Sequence, residues 1–183
     1  MHEDTGRRVR LSVVRLVCAC GLAAAIVQGA VGAQTAAIPR VRSTHDYIRA
    51  MITEAAQRSP TFRRLVEAIG VTNGIVYVEQ GECGHSVRAC LTMTVTPTTE
   101  YRFLRVLVDA RQPDWEVMSS IGHELQHAIE VLENLSLTSS EAIFLFYTRE
   151  GMTMGESFET PAAVRIGNIV RSEVGNYARR RVF

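Results

Sequence analysis

The chain has 183 residues, of which 46% are hydrophobic, and its formal net charge at pH 7 is +1. This length and apolar content suit one domain with a single core. A near-neutral charge gives no electrostatic reason to expect nucleic acid or an anionic membrane surface as a partner.

The first 33 residues have the pattern of a secretory signal peptide. An arginine-rich stretch precedes an apolar run from Leu16 to Val27, which is short for a membrane-spanning helix. Small residues follow, and Val31-Gly32-Ala33 predicts cleavage before Gln34. We therefore expect a secreted or periplasmic protein, with residues 34–183 forming a single mature domain.

Export changes the interpretation of the cysteines. Cleavage would remove Cys18 and Cys20, which leaves Cys83 and Cys90 in the mature chain. A pair of cysteines in an oxidising compartment predicts a disulfide. A metal site that uses both cysteines with His85 is the alternative, but it needs a fourth ligand and a reducing environment. For the signal segment itself, lipidation of Cys20 is a weaker alternative to simple cleavage before Gln34, because the residues before Cys20 fit a lipobox poorly.

Two helices are predicted near the start of the mature domain, after an unstructured lead-in over residues 34–42. Apolar residues recur at helical spacing from Thr44, with Ser43 or Thr44 as the N-cap. Pro60 opens a second helical segment that ends at Gly70.

The hydrophobic period then changes to that of a small sheet. Runs rich in β-branched and aromatic residues predict three strands, at residues 74–80, 88–96 and 101–109. The first two strands are expected to form a hairpin that the disulfide closes.

Three further helices are predicted after the sheet. The first begins near Pro113 and runs to about Leu135. The second follows Thr138, and after a Gly-rich break the last begins near Phe158 or Thr160. The sequence therefore predicts an α+β fold: N-terminal helices, a small sheet, a long helix and two C-terminal helices.

The long predicted helix contains the motif HELQH at residues 123–127. Its apolar stripe has helical spacing and comprises Met118, Ile121, Leu125, Ile129 and Leu132. His123 and His127 lie on the opposite side, one turn apart, where two imidazoles can converge on Zn²⁺. Glu124 lies to the side, where it could reach a metal-bound water without being a ligand. The alternative is a polar helix face with two surface histidines.

HELQH on an amphipathic helix after a small sheet resembles the zincin superfamily of metallopeptidases. The metzincin branch would continue with glycine and histidine at positions that Glu130 and Glu133 occupy here, so that branch is excluded. The gluzincin branch takes a glutamate from a downstream helix. For this chain the resemblance implies Glu159 as the third ligand, with Glu156 as the second choice.

The resemblance implies an exported zinc metallopeptidase with a peptide or protein substrate. His123, His127 and Glu159 would hold Zn²⁺, and Glu124 would act as general base and then as proton donor. The substrate would lie along an edge strand of the sheet. One rival is a non-catalytic zinc-stabilised binding domain, closed by a fourth ligand such as Glu156. Another is an exported helical domain without metal.

Four other residues are candidates for functional roles. Glu130 and Glu133 could support the metal ligands, although solvated helix charges are the commoner case. Tyr147 and Tyr177 could donate a hydrogen bond to the tetrahedral intermediate, although core or surface tyrosines are more common.

Overall fold

The computed structural model describes residues 39–84, 87–154 and 157–180. These residues belong to one compact unit that spans residues 37–183. The predicted signal peptide lies outside the described residues, as do His85 and Glu156.

Two helices open the described part of the chain, as the sequence predicts. Helix α1 spans Asp46–Arg58 and α2 spans Pro60–Gly70. Ser59 ends α1 and caps α2, because its side chain accepts a hydrogen bond from the backbone N–H of Phe62. Proline at the first position of α2 loses no helical hydrogen bond, since that N–H has no partner within the helix.

Four strands form a mixed sheet, one more than the sequence predicts. The strands are β1 (Val41–Arg42), β2 (Gly74–Gln80), β3 (Ala89–Pro97) and β4 (Arg102–Val108). Their order is β1-β2-β4-β3, with β1 and β2 parallel, β2 and β4 parallel, and β4 and β3 antiparallel. Strand β3 is therefore one edge of the sheet.

The predicted unstructured lead-in is wrong over Val41–Arg42, which forms β1. Val41 aligns with Val76 of β2 and is buried, and the backbone N–H of Val76 donates to the carbonyl of Arg40 at 2.8 Å. Two residues are too few to produce a periodic pattern, which is why this edge strand gave no signal in the sequence.

The predicted hairpin between β2 and β3 is also wrong, because β4 lies between these strands. Strand β2 is buried along most of its length, which suits a central strand paired on both sides. The hairpin is β3–β4, closed at a turn in which the N–H of Thr98 donates to the carbonyl of Tyr101. The predicted Cys83–Cys90 disulfide is present and ties the segment after β2 to the edge strand β3.

The C-terminal half carries the three predicted helices and a small second sheet. Helix α3 spans Asp114–Glu133, α4 spans Ser140–Glu150 and α5 spans Pro161–Arg180. The predicted Gly-rich break instead contains two short antiparallel strands, β5 (Met152–Met154) and β6 (Ser157–Glu159). The last helix therefore begins close to the predicted Thr160 and not at Phe158, which lies in β6.

Helix α3 lies at the centre of the molecule, packed against the sheet, α2 and α5. All five residues of its predicted apolar stripe are buried. The buried guanidinium of Arg102 donates to the carbonyls of Val131, Leu132 and Asn134, and so satisfies backbone acceptors at the C-terminal end of α3. In the described part of the chain no helix combines the length and apolarity that a membrane span requires.

Candidate metal centre

Three side chains converge beside α3: His123, His127 and Glu159, the predicted ligands. Oε2 of Glu159 lies 2.9 Å from Nε2 of His123 and 3.6 Å from Nε2 of His127. The three potential ligand atoms all lie within 4.8 Å of one another. Four-coordinate zinc with bonds of about 2.0–2.2 Å places neighbouring ligand atoms roughly 3.3 Å apart. The observed separations lie on either side of that value, so the cluster can hold a metal ion.

The backbone brings these residues together from two directions. His123 and His127 are one turn apart on α3, so their rings project from the same face. Glu159 is the last residue of β6, and Thr160 alone separates it from α5. Gly167 allows α5 to approach α3 closely, since a Cβ there would lie 3.2 Å from the Cβ and from Nδ1 of His123.

Hydrogen bonding also fits a cation at this point. Nε2 of His127 and Oε2 of Glu159 are buried and have no hydrogen-bond partner among the described residues. A buried polar atom without a hydrogen-bond partner destabilises the folded state by about 1–3 kcal/mol, so two such atoms side by side are rare in folded proteins. The 2.9 Å approach of His123 to Oε2 of Glu159 brings the two atoms close without a hydrogen bond. A cation bound between the three atoms would satisfy all of them.

Without a bound metal ion, a proton on His127 provides the positive charge of the cluster. Burial alone would lower the pKa of His127, but the carboxylates of Glu130 and Glu159 outweigh it and raise the pKa to about 9. Burial would raise the pKa of Glu159, but His123 and His127 lower it to about 2. At neutral pH the metal-free cluster therefore contains a protonated imidazole beside an ionised carboxylate.

Glu130 orients His127 from the side away from Glu159. Its Oε2 lies 2.9 Å from Nδ1 of His127, and its Oε1 accepts a hydrogen bond of 2.7 Å from the hydroxyl of Thr160. Burial opposes ionisation of Glu130, but its bond to His127 lowers its pKa, so the carboxylate is the acceptor. The expectation of a solvated charge is therefore wrong for Glu130, whereas Glu133 is exposed as expected.

Tyr147 belongs to the support of the site. It is 3% exposed, and its hydroxyl donates to the carbonyl of His127 at 3.1 Å and lies 3.4 Å from Oε2 of Glu130. Its ring meets the His127 ring edge to face, with centroids 5.4 Å apart. Burial raises the pKa of this hydroxyl far above its usual range. Tyr147 therefore has the core position that the sequence analysis favours. The side chain of Tyr177 is outside the described part of the chain.

Glu124 is held beside the cluster and not in it. Its Oε2 accepts a 2.7 Å hydrogen bond from the backbone N–H of Leu91 in β3, and its Oε1 lies 3.9 Å from Nε2 of His123. The side chain is buried, and burial raises the pKa of the carboxyl group. One oxygen is therefore fixed by the edge strand while the other is directed toward the metal position.

The cluster opens into a cleft of about 360 Å³ between α3, β3 and α5. His123, Glu124 and Glu159 line it at the metal position, and Arg88 and Arg171 line it as well. The cleft is further lined by small or neutral residues, namely Val87, Ala89, Ser119, Ser120, Val164, Gly167 and Asn168. The arrangement leaves space for a substrate beside the cluster.

Sequence reasoning missed two supporting groups, Thr160 and the backbone N–H of Leu91, because both contacts depend on how β6 and β3 pack against α3. For Glu130 the sequence offered a supporting role beside the favoured solvated charge. Its contact with His127 fits a helical spacing of three residues, at which side chains meet. Glu156, the second choice for the third ligand, lies outside the described residues.

A scan of protein-family models and searches of curated proteins and of solved structures find no match to this chain. The resemblance to zincins therefore rests on HELQH, on the order of the elements and on the geometry of the cluster.

Proposed function

We propose that the chain is an exported zinc metallopeptidase of the gluzincin type. The observation that carries this proposal is the convergence of two imidazole nitrogens, Nε2 of His123 and Nε2 of His127, on Oε2 of Glu159. Nε2 of His127 has no hydrogen-bond partner in the part of the chain that the structure describes. Two imidazoles and one carboxylate are a donor set that suits catalytic zinc and leaves a fourth position open. When bound, Zn²⁺ supplies a water of lowered pKa and polarises the peptide carbonyl.

Glu124 acts as the general base. Leu91 fixes Oε2 of this carboxylate through its backbone N–H, so Oε1 is the oxygen available to accept a proton from water. Burial raises the pKa of Glu124, which favours retention of that proton until it is donated to the leaving amine.

The edge strand β3 binds the substrate backbone. Backbone groups of an antiparallel strand point alternately toward and away from the neighbouring strand. Leu91 directs its N–H away from β4 to Glu124, so the N–H and C=O of Ala89, two residues earlier, point to the same side. An extended peptide in the cleft can pair with these groups and so pass Glu124.

The first experiment measures zinc content and peptide hydrolysis of residues 34–183, beside the variants Glu124→Gln and Glu133→Gln. The wild-type chain should bind one zinc per molecule and cleave an unstructured protein such as casein. Glu124→Gln should retain zinc while hydrolysis falls by about 10²–10⁴-fold, since it loses the proton acceptor. Glu133→Gln, an exposed position on the same helix, should behave as the wild type.

Two results would contradict the proposal. Bound zinc with no hydrolysis, and with a fourth protein ligand in a zinc-bound crystal structure, would identify a non-catalytic zinc-stabilised domain. No bound zinc in a folded chain would exclude both zinc functions. Export is tested separately, because the exported protein should begin at Gln34 by mass spectrometry.

A further inference from the structure

Two arginines line the cleft in addition to the residues at the metal position. Arg88, before β3, and Arg171, on α5, both form ion pairs with Glu116 of α3. The Glu116 side chain is buried, whereas the side chains of Arg88 and Arg171 are 53% and 48% exposed. Apart from His123, Glu124 and Glu159 at the metal position, the two arginines are the ionisable ones among the described residues that line the cleft.

The charges of this group do not cancel. Two guanidinium groups carry two positive charges against one carboxylate, so a net positive charge faces the cleft. Each guanidinium has five N–H donors. The described bonds to Glu116 use one nitrogen of Arg88 and one of Arg171. Donors therefore remain for a second carboxylate, and planar guanidinium groups bind carboxylates in a bidentate manner.

Arg171 is held in place before any ligand binds. Its guanidinium carbon lies 4.6 Å from the ring centroid of Trp115, and its Nη2 lies 3.0 Å from Oε1 of Glu116. A guanidinium held between an aromatic ring and a carboxylate has few accessible conformations, so it loses little conformational entropy when a ligand binds.

The position of the pair relative to the metal centre follows from the geometry of two elements. Glu116 and Glu124 are eight residues apart on α3, which is about 12 Å along a helix. Arg88 and Leu91 are three residues apart along β3, which is about 10 Å along a strand. An extended peptide rises about 3.3 Å per residue, so the arginines lie roughly three residues from the scissile bond.

We propose that Arg88 and Arg171 form a subsite that binds a carboxylate of the substrate, about three residues from the bond that is cleaved. This inference rests on the proposed function and gives it a substrate class: acidic peptides, or peptides that end in a free carboxylate at this distance. Both kinds of peptide present a carboxylate, and the test distinguishes a side-chain carboxylate from a terminal one.

The only tryptophan of the chain, Trp115, provides a direct measurement, since Arg171 stacks on it. The probes are short N-acetylated alanine peptides with one glutamate or one glutamine and an amidated end, and an all-alanine peptide with a free carboxyl end. Binding is followed by tryptophan fluorescence and calorimetry, with and without zinc, in the Glu124→Gln protein, in which cleavage of the peptides should be slow.

The glutamate peptide should bind about tenfold more tightly than the glutamine peptide, as for a charge-assisted hydrogen bond, and added salt should reduce the difference. Arg171→Gln and Arg88→Gln should each reduce this preference, while Arg171→Lys should retain part of it. Arg105→Gln, which removes another exposed arginine from an ion pair with Glu79, should leave it unchanged. Tighter binding of the free-ended alanine peptide than of the amidated glutamate and glutamine peptides would assign the subsite to a terminal carboxylate.

Equal binding of the glutamate, glutamine and free-ended peptides would overturn the inference, as would a preference that survives both arginine-to-glutamine variants with folded protein by circular dichroism. Failure of the proposed function looks different. A chain that neither binds zinc nor cleaves casein, but still prefers a carboxylate, contradicts only the peptidase. A zinc-dependent peptidase without the preference contradicts only the subsite.

Discussion

Nδ1 of His127 lies 2.9 Å from Oε2 of Glu130, a carboxylate three residues further along the same helix. An ionised carboxylate only accepts, so in the neutral imidazole Nδ1 carries the hydrogen and Nε2 keeps the free lone pair. Among the described residues this Nε2 has no hydrogen-bond partner. Glu130 thus selects the tautomer of His127 that can bind a metal.

We therefore predict that Glu130→Gln lowers zinc affinity by about 10–100-fold, the usual effect of removing a partner that orients a metal-binding histidine. Competition with a chromogenic chelator measures the affinity. Glu133→Gln changes an exposed glutamate on the same helix and should retain wild-type affinity. Equal affinities of the two variants would show that Glu130 does not orient His127.

A second prediction concerns the close approach of α5 to α3 at Gly167. A Cβ there would lie 3.2 Å from two atoms of His123, so the ring must shift by a few tenths of an ångström. Overpacking costs about 1–3 kcal/mol, and we expect Gly167→Ala to weaken zinc binding by about tenfold. Gly175→Ala on the same helix is the control, because nothing lies within 4 Å of its Cβ position. It should leave zinc affinity unchanged and raise stability slightly, since alanine favours helix.

The third prediction concerns the disulfide. Cys83 and Cys90 are seven residues apart. Closing a loop of this length lowers the conformational entropy of the unfolded chain, which raises the free energy of unfolding by roughly 2.5 kcal/mol. The double variant Cys83→Ser, Cys90→Ser should lose about that much free energy of unfolding in urea. The bridge anchors the start of β3, which carries the Leu91 contact to Glu124, so hydrolysis should fall as well. Free thiols at both positions in exported protein would contradict the predicted bridge.

The helices and the two histidines of the cluster were predictable because the sequence patterns that indicate them lie within single helices. The apolar stripe of α3 places His123 and His127 on one face, and Pro60 marks the start of α2. The predicted N-cap of α1, Ser43 or Thr44, is wrong, because His45 occupies that position. The choice of Glu159 depended on a family pattern and on the position just before a helix, and the structure brings this residue to the two histidines.

Strand pairing was not predictable in the same way. The order of β2, β4 and β3 depends on contacts between residues that are far apart in sequence, and period-two patterns do not identify the neighbour of a strand. Two-residue and three-residue strands such as β1, β5 and β6 are too short for any period to appear. The same limit hid Leu91, whose role belongs to its backbone N–H and not to its side chain.

The last prediction is that zinc binding is coupled to the loss of a proton from His127. The pKa of this imidazole in the metal-free chain is raised to about 9, so at pH 7 it is protonated and cannot be a ligand. Zinc binding at pH 7 should therefore release about one proton, and affinity should increase as pH rises toward 9. Calorimetry in buffers of different ionisation enthalpy measures the proton, and chelator-buffered zinc gives the affinity at each pH.

The same pKa values set the stability of the metal-free chain. The raised pKa of His127 contributes stability below its ordinary value of 6.5, and this is lost as pH rises through about 9. The lowered pKa of Glu159 contributes stability above its ordinary value of 4.5, and this is lost as pH falls through about 2. Between pH 6 and 9 the metal-free chain should lose thermal stability while the zinc-bound chain does not, so the difference in Tm should widen with pH. A difference in Tm that stays constant over this range, together with no proton release, would show that His127 is neutral before zinc binds.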